Sequence, residues 1–233
     1  TIHLIQDGPV NDEISELINK YEKDHPKIIK ILILPKLGLP CALNESIKLC
    51  DTKYYARMDA DDIAFKNRLK EQINFLEKNE DVQILGSWAI EFESNPQTEI
   101  GFINKRPNDK VKINEYFHYM NPLIHSTVIF RIDVFNEIGL YNPMFFTDQD
   151  LELWGRALKK RIIISNIQSP LLYLRIEGRQ GRRSQLSAIK RQIIARYSYN
   201  TFSFKLNFLK FSAIIFRFLP SFVRGWGYKN LRN

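Results

Sequence analysis

Short apolar runs alternate with amphipathic segments along the first third of the chain, and this alternation restricts the possible folds more than any other feature. The predicted strands are residues 2–5, 28–34 and 54–58, and two of the predicted helices are residues 39–49 and 68–76. Strands that alternate with helices favour a sheet covered on both faces. We therefore predict an α/β/α sandwich around a mostly parallel, mixed sheet.

Apolar spacing also predicts which helix faces are buried. A helix that follows the turn signal Asp7-Gly8-Pro9 places four apolar side chains on one face, namely Ile14, Leu17, Ile18 and Tyr21. The helix over residues 68–76 is expected to turn Leu69, Ile73 and Leu76 inward. Both faces should pack against the sheet.

The second half of the chain is less regular. Residues 82–103 are rich in β-formers, further strands are predicted over residues 127–130 and 162–174, and helices over residues 148–159, 185–199 and 204–219. This pattern predicts an α/β domain over residues 1–176 and a helical tail over residues 177–233.

The net charge of +8 conceals two parts of opposite sign. Residues 1–155 contain 17 Lys and Arg against 25 Asp and Glu, a net −8, whereas residues 156–233 contain 17 against Glu177 alone, a net +16. The two parts are expected to face different partners. The longest apolar tract, residues 202–219, contains three cations and is not a predicted bilayer-spanning helix, so we expect a cytoplasmic protein.

Three carboxylates fall within four positions in Arg57-Met58-Asp59-Ala60-Asp61-Asp62, after a predicted strand. Neighbouring anions repel unless a cation shares them. In extended backbone Asp59 and Asp61 project to one side, while Asp62 points elsewhere or caps the next helix. The pair could hold Mg²⁺ or Mn²⁺ beside a diphosphate, or the acids could simply begin a helix.

Several segments, taken together, resemble the family 2 glycosyltransferases of bacterial surface-polysaccharide pathways. They are Gly38-Leu39-Pro40-Cys41-Ala42-Leu43-Asn44-Glu45, Ala56 to Asp62, Asn121 to Arg131, and Gln149-Asp150-Leu151-Glu152-Leu153-Trp154. The resemblance runs from about Ile2 to Leu174. It implies a GT-A-type fold, a nucleotide-diphosphate sugar as donor, and inversion at the anomeric carbon.

The resemblance also implies roles for single residues. Asp150 would be the general base, and Asp61 with Asp59 would hold a divalent Mn²⁺ or Mg²⁺. The donor would contact Asp7, Gly38, Arg57, Asp59 and Asp61. The acceptor or its sugar would contact His125 and Trp154. His125 and Trp154 could equally be core residues, and Arg57 could pair with the nearby aspartates. Gln149 and Lys36 depart from the family pattern, which has Glu and Asn there.

Family frequency favours UDP as the nucleotide and a saccharide or lipid-linked saccharide as the acceptor, in cell-surface polysaccharide biosynthesis. Members of the family begin with a strand and a helix before the strand that starts here at Ile2, so the chain is expected to lack that N-terminal strand and helix. A degenerate, non-catalytic nucleotide-sugar binder is therefore an alternative.

The tail combines basic and aromatic residues. The basic residues are Arg179, Arg182, Arg183, Lys190, Arg191 and Arg196, and one helical face carries Phe204, Phe208, Phe211, Ile215 and Phe218, with Ser203, Asn207, Lys210 and Arg217 to one side. Two interpretations stay open: peripheral contact with anionic lipid on the inner face of the cell membrane, or packing on the chain's own domain. Nucleic-acid binding is the third alternative, but its motifs are lacking and no nucleic-acid partner is expected.

Overall fold

The structure is a computed structural model that describes residues 1–99, 101–176 and 186–219. Its strands are β1 Ile2–Asp7, β2 Ile29–Leu34, β3 Tyr54–Ala56, β4 Ile63–Ala64, β5 Ile84–Phe92, β6 Ile103–Asn104, β7 Ile129–Arg131 and β8 Ile164–Arg175. Its helices are α1 Asp12–Asp24, α2 Leu39–Lys48, α3 Arg68–Lys78, α4 Lys110–Tyr119, α5 Val134–Ile138, α6 Gln149–Lys159, α7 Leu186–Tyr197 and α8 Phe204–Phe218, with a 3₁₀ turn at His125–Thr127. Helices α4 and α5 had no counterpart in the sequence prediction.

The strands form two sheets. Strands β1 and β2 pair in parallel, and the larger sheet has the order β3-β7-β5-β8-β4, with β6 beside β5. The α/β fold with a mixed sheet is confirmed, but of the described pairs only β1–β2 and β5–β8 are parallel. The sheet is less parallel than expected because the later strands pair with strands distant in sequence, where local periodicity does not set direction.

The first three elements, β1, α1 and β2, form what we call the front unit. Asn11 caps α1 by accepting a hydrogen bond from the backbone N–H of Ile14 at 2.9 Å. No residue of α1 is buried, and Leu17 is 52% exposed. The helix was predicted correctly, but its apolar face is not covered by the described residues.

The main core lies between the larger sheet and helices α2, α4, α5 and α6. At its centre Trp154, 0% exposed, stacks on Phe130 with ring centroids 5.9 Å apart. Helix α3, on the other side of the sheet, differs from the prediction: Leu69 is 52% exposed, whereas Arg68 and Gln72 are buried. These two polar side chains turn inward because they bond to backbone carbonyls of the site described below.

The tail helices pack on the domain, α7 against α6 and α8 against α4. Lys210 of α8 is fully buried and donates to the carbonyl of Tyr199 at 2.7 Å, although its spacing placed it on the polar side. The aromatic face of α8 is therefore turned outward, and Phe204 is 86% exposed. Of the predicted basic residues, Arg179, Arg182 and Arg183 lie outside the described residues.

Among the helices that the structure describes, none combines the length and apolar character needed to cross a bilayer.

Candidate active site

The acidic segment leaves the larger sheet before the first aspartate, because β3 ends at Ala56. One oxygen from each of Asp59, Asp61 and Asp62 lies within 4.8 Å of the others. Strand alternation does not apply to this segment, so the expectation that Asp62 points elsewhere is wrong. Nor does Asp62 cap a helix, because α3 begins at Arg68 after Asn67. The site contains three clustered carboxylates, not two.

Arg57 neutralises one of these carboxylates. The buried guanidinium donates to Asp59 Oδ1 and, at 3.0 Å, to Ser126 Oγ. Ser126 Oγ in turn donates to Asp59 Oδ2 at 2.7 Å. Each oxygen of Asp59 thus accepts one hydrogen bond and keeps a second lone pair for a ligand. The expected pairing of Arg57 with an aspartate is present.

Asp61 and Asp62 differ in their surroundings. Asp62 is buried, and its Oδ1 accepts the backbone N–H of Arg175 at 2.8 Å, because the antiparallel pairing of β4 with β8 brings these residues together. Asp61 is exposed, and no described residue donates a hydrogen bond to its carboxylate. Asp61 therefore has the more accessible oxygens for a ligand.

Helix α3 fixes the segment from behind. Arg68 Nη2 donates to the carbonyl of Arg57 at 2.7 Å, and Gln72 Nε2 donates to the carbonyl of Thr127 at 2.7 Å. Burial, and secondarily the charge of Arg57, lower the pKa of Arg68 to about 10, so Arg68 stays charged at neutral pH. These buried hydrogen bonds hold the backbone at Arg57, just before the acidic cluster, and at Thr127, next to Ser126.

Asp7 anchors the loop that leads into α2. Its carboxylate accepts the backbone N–H groups of Leu37 at 2.6 Å and Gly38 at 2.8 Å. Gly38 has φ 88°, a left-handed conformation that favours glycine, and a Cβ there would also crowd the Phe146 ring at 3.1 Å. Asp7 and Gly38 thus lie together at the carboxyl end of β1; contact with a nucleotide stays a prediction.

Asp150 is the second residue of α6, where the exposed amides of a helix N-terminus favour a negative charge. Asn121 Nδ2 donates to Asp150 Oδ2 at 2.5 Å. Gln149, which stands where the family has Glu, is buried beside it. The carboxylate is thereby oriented by a residue from another part of the chain.

One short segment connects Asp150 with the acidic cluster. Asn121 binds Asp150, and Ser126, five residues later, binds Asp59. Five residues span at most about 18 Å even when fully extended, and the 3₁₀ turn His125–Thr127 shortens this path. Asn121 and Ser126, which hold Asp150 and Asp59, are therefore at most about 18 Å apart between their Cα atoms.

His125 lies on that segment, and its Nε2 is 2.8 Å from Tyr141 Oη. Burial, and next the charge of Arg57, hold the pKa of His125 well below its ordinary value, and burial holds the pKa of Tyr141 well above its own. Both groups are therefore neutral at physiological pH. Trp154 sits beneath His125 at 6.1 Å between ring centroids and is fully buried, so the expectation that it lines an acceptor pocket is not met in this structure.

Sequence reasoning missed four residues that complete the site, namely Asn121, Ser126, Tyr141 and Arg175, and it placed Asp62 outside the carboxylate cluster. Asn121 and Ser126 stand inside a segment that had been singled out, and their amide and hydroxyl groups were available signals. Nothing in the sequence indicated Tyr141 and Arg175, which reach the site only through the packing of distant elements.

Comparison with known proteins agrees with the family resemblance seen in the sequence. A sequence profile of the family described as "Glycosyl transferase family 2" matches residues 1–139. The UDP-Gal:alpha-D-GlcNAc-diphosphoundecaprenol beta-1,3-galactosyltransferase of Escherichia coli is 31% identical over 235 residues, covering 98% of this chain and 83% of that enzyme.

Solved structures resemble the fold. S. aureus TarS 1-349 in complex with UDP-GlcNAc has a TM-score of 0.66 at 15% identity, over 97% of this chain and 65% of that one. The mannosyltransferase PcManGT from Pyrobaculum calidifontis, in complex with GDP-Man and Mn2+, has a TM-score of 0.60 at 11% identity, over 98% and 66%. These likenesses confirm the GT-A-type α/β fold.

Proposed function

The chain belongs to glycosyl transferase family 2 and is a glycosyltransferase, and on that premise we propose that it transfers a sugar, with inversion, from a UDP-sugar to a saccharide or lipid-linked saccharide in cell-surface polysaccharide biosynthesis. The observation that carries the proposal is the segment from Asn121 to Ser126. It joins a candidate base to a candidate metal and diphosphate site.

The acidic cluster fits a divalent cation. Hard cations prefer oxygen ligands, and Mg²⁺ or Mn²⁺ sites typically use one or two carboxylates together with substrate phosphates. Asp61 offers exposed oxygens within 4.8 Å of Asp59 and Asp62, and such close carboxylates favour a shared cation. Asp61 and Asp59 would hold the ion, with Asp62 as a third neighbour. When bound, such an ion neutralises charge on a leaving diphosphate.

Asp150 has the placement of a general base. In the proposed reaction it accepts the proton of an acceptor hydroxyl as that oxygen attacks the anomeric carbon from the face opposite the diphosphate. Asn121 donates to one carboxylate oxygen and fixes its direction. Neutral His125, held by Tyr141, is available as a hydrogen-bond partner for a sugar hydroxyl.

The outward face of α8 supports a lipid-linked acceptor. Lys205 in the first turn of α8 pairs with Glu115 at 2.7 Å, and Lys210 one turn later lies near His118, so α8 runs along α4 towards its carboxyl end. Asn121 follows that end by two residues. A row of exposed aromatic residues beside cationic groups favours binding to an anionic bilayer, which would place the enzyme on the inner face of the cell membrane.

The donor assignment is tested by thermal unfolding with UDP-, GDP- and dTDP-sugars, each with and without Mn²⁺. A ligand that binds only the native state raises the melting temperature, by an amount that grows with its concentration over Kd. We expect UDP-sugars with Mn²⁺ to give the largest rise. A larger rise with GDP- or dTDP-sugars would show that UDP is the wrong donor nucleotide. No rise with any donor would contradict the assignment of the donor-binding site.

The catalytic roles are tested by Asp150→Asn and Asp61→Asn. Loss of a general base typically lowers kcat by about 10²–10⁴-fold, so Asp150→Asn is expected to bind donor normally while kcat falls by that factor. Asp61→Asn is expected to weaken the Mn²⁺-dependent rise in melting temperature as well as turnover. The control Asp81→Asn removes an exposed carboxylate elsewhere and should behave as the parent. Donor binding without turnover in the parent would favour the degenerate binder.

Membrane contact is tested by co-sedimentation with vesicles that do or do not contain anionic lipid. The double variant Phe208→Ser with Phe211→Ser removes two exposed rings from α8 and should abolish sedimentation with anionic vesicles. Leu17→Ser, which removes an exposed apolar side chain from α1, is the matched control and should sediment as the parent. Equal binding of the double variant would show that α8 is not the contact.

A further inference from the structure

Helix α7 contacts the two residues that lead into α6, the helix that carries Asp150. Arg191 Nε donates to Thr147 Oγ1 at 3.0 Å, and Gln192 Nε2 donates to Asp148 Oδ1 at 3.3 Å. Gln192 is only 4% exposed, so its amide is held inside the contact between the helices. The tail thus reaches the base-bearing helix where that helix begins.

Asp148 has an unusual backbone conformation at this point. Its φ of 60° and ψ of 20° are left-handed, which is unfavourable for most residues that carry a Cβ, although Asp adopts it more readily than most. The Asp148 side chain makes no capping bond to α6, although residues of its type commonly do so. A strained residue persists only when its surroundings fix it. The bond from Gln192 is one such restraint.

Ser198, the residue that follows α7, contacts α6 as well. A Cβ at Gly155 would lie 2.1 Å from Ser198 Oγ and 3.1 Å from Phe117 Cζ, so the two helices approach closely there only because residue 155 is glycine. Helix α7 and the residue that follows it therefore contact α6 at two places, just before its first residue and near its middle. Contacts at two points restrict sliding and tilting of α6.

We propose that Gln192 is a positioning residue for the catalytic base. Through Asp148 it fixes the start of α6, and thereby the direction of the Asp150 carboxylate two residues later, where Asn121 holds it at 2.5 Å. The inference rests on the proposed function, because it takes Asp150 as the base. The C-terminal tail then helps to position the active site.

The test is Gln192→Ala, with donor and acceptor kinetics measured separately. A misplacement of about 1 Å in a reacting group can cost up to about 10²-fold in rate. We expect kcat to fall about 10-fold, the donor KM to stay within about twofold, and the pH dependence of kcat to shift. Hydrogen exchange at residues 147–152 should quicken. The control Lys190→Ala changes an exposed residue of the same helix and should match the parent.

A double-variant cycle separates positioning from general loss of stability. If Gln192 acts through Asp148, Asp148→Ala combined with Gln192→Ala should be no more than about twofold slower than the slower single variant. If the kcat losses of the two single variants multiply in the double variant, or if Gln192→Ala has a parent-like kcat, the inference is overturned. Asp150→Asn in the same assay separates failure of the base assignment from failure of the positioning role. If Asp150→Asn stays active, the assignment of Asp150 as the base is wrong. If Asp150→Asn is inactive while Gln192→Ala has a parent-like kcat, only the positioning role of Gln192 is wrong.

Discussion

The front unit and the region around Trp154 differ sharply in how their apolar side chains are used. In the front unit no α1 residue is buried, and Ile33 of β2 is 72% exposed. Around Trp154, by contrast, Phe130, Phe117 and Leu153 are fully buried in one continuous cluster. The amphipathic spacing is equally clear in both regions, so spacing alone does not determine burial.

The difference matters because the candidate site draws on both regions. Asp7, which holds the loop at Gly38, belongs to the front unit, whereas Asp150 belongs to a helix packed around Trp154. Parts of a protein with few buried apolar contacts open at a lower free energy than its core. Donor contacts from the front unit should therefore tolerate change better than the geometry of the base.

Trp154→Ala is the change with the largest expected effect. Removing a fully buried Trp side chain typically costs about 3–5 kcal/mol in the free energy of unfolding, because it loses contacts and leaves a cavity. Urea unfolding measures this loss, and Trp154→Phe should lose less. If Trp154→Ala cost no more than a change in α1, the contrast between the two regions would be wrong.

Asp7→Asn tests the front unit's share of the site. Asn can accept only one of the two backbone hydrogen bonds that now hold Leu37 and Gly38, and bonds to a charged group are worth about 1.5–3 kcal/mol each. We expect the donor KM to rise about 10-fold while kcat changes little. Asp24→Asn, at the exposed end of α1, is the control. A fall in kcat with unchanged donor KM would place Asp7 in the chemistry instead.

The acid sensitivity of the fold should be larger in the core than in the front unit, where burial lowers the pKa of His3 as well. His118 of α4 is buried against Lys210 of α8, Arg196 of α7 and the Tyr199 ring. Burial, and next the charges of Lys210 and Arg196, lower the pKa of His118 to about 4. The unfolded state, with a pKa of about 6.5, binds the proton more tightly, so stability falls as pH drops from about 6.5 to about 4.

Unfolding measured across this pH range tests the assignment. We expect His118→Gln to lose about 1–3 kcal/mol less than the parent between neutral pH and pH 4, after correction for its stability at neutral pH. His25→Gln alters an exposed histidine at the end of α1 and should leave the slope unchanged. An equal slope in His118→Gln and the parent would contradict the prediction.

The sequence predicts local structure and family membership well in this protein. Periodicity located α1, α2, α3 and α6, and the family resemblance, with the α/β fold that it implied, is confirmed. The errors share a physical cause: they depend on contacts between elements far apart in the chain. Leu69 is exposed and Arg68 buried because Arg68 meets the carbonyl of Arg57. Periodicity carries no information about such contacts.

The candidate site shows the same division. The acidic motif was visible in the sequence, but the inclusion of Asp62 required β4 to pair with β8, and the restraint on Asp150 required Asn121 to approach from another segment. Likewise the aromatic face of α8 was predicted, but its outward orientation follows from Lys210, which the tertiary structure buries. The sequence identifies the candidate residues, whereas tertiary packing determines which residues they contact.

Leu17→Ser is the change with the smallest expected effect, and it tests the contrast from the opposite side. Because Leu17 is exposed and α1 buries no side chain, the substitution should alter the free energy of unfolding by less than about 0.5 kcal/mol, as exposed positions usually do. Urea unfolding of Leu17→Ser beside Leu153→Ser, a fully buried leucine in α6, gives the comparison directly. A loss above about 2 kcal/mol for Leu17→Ser would show that α1 is covered in solution, and the front unit would then be as tightly packed as the core.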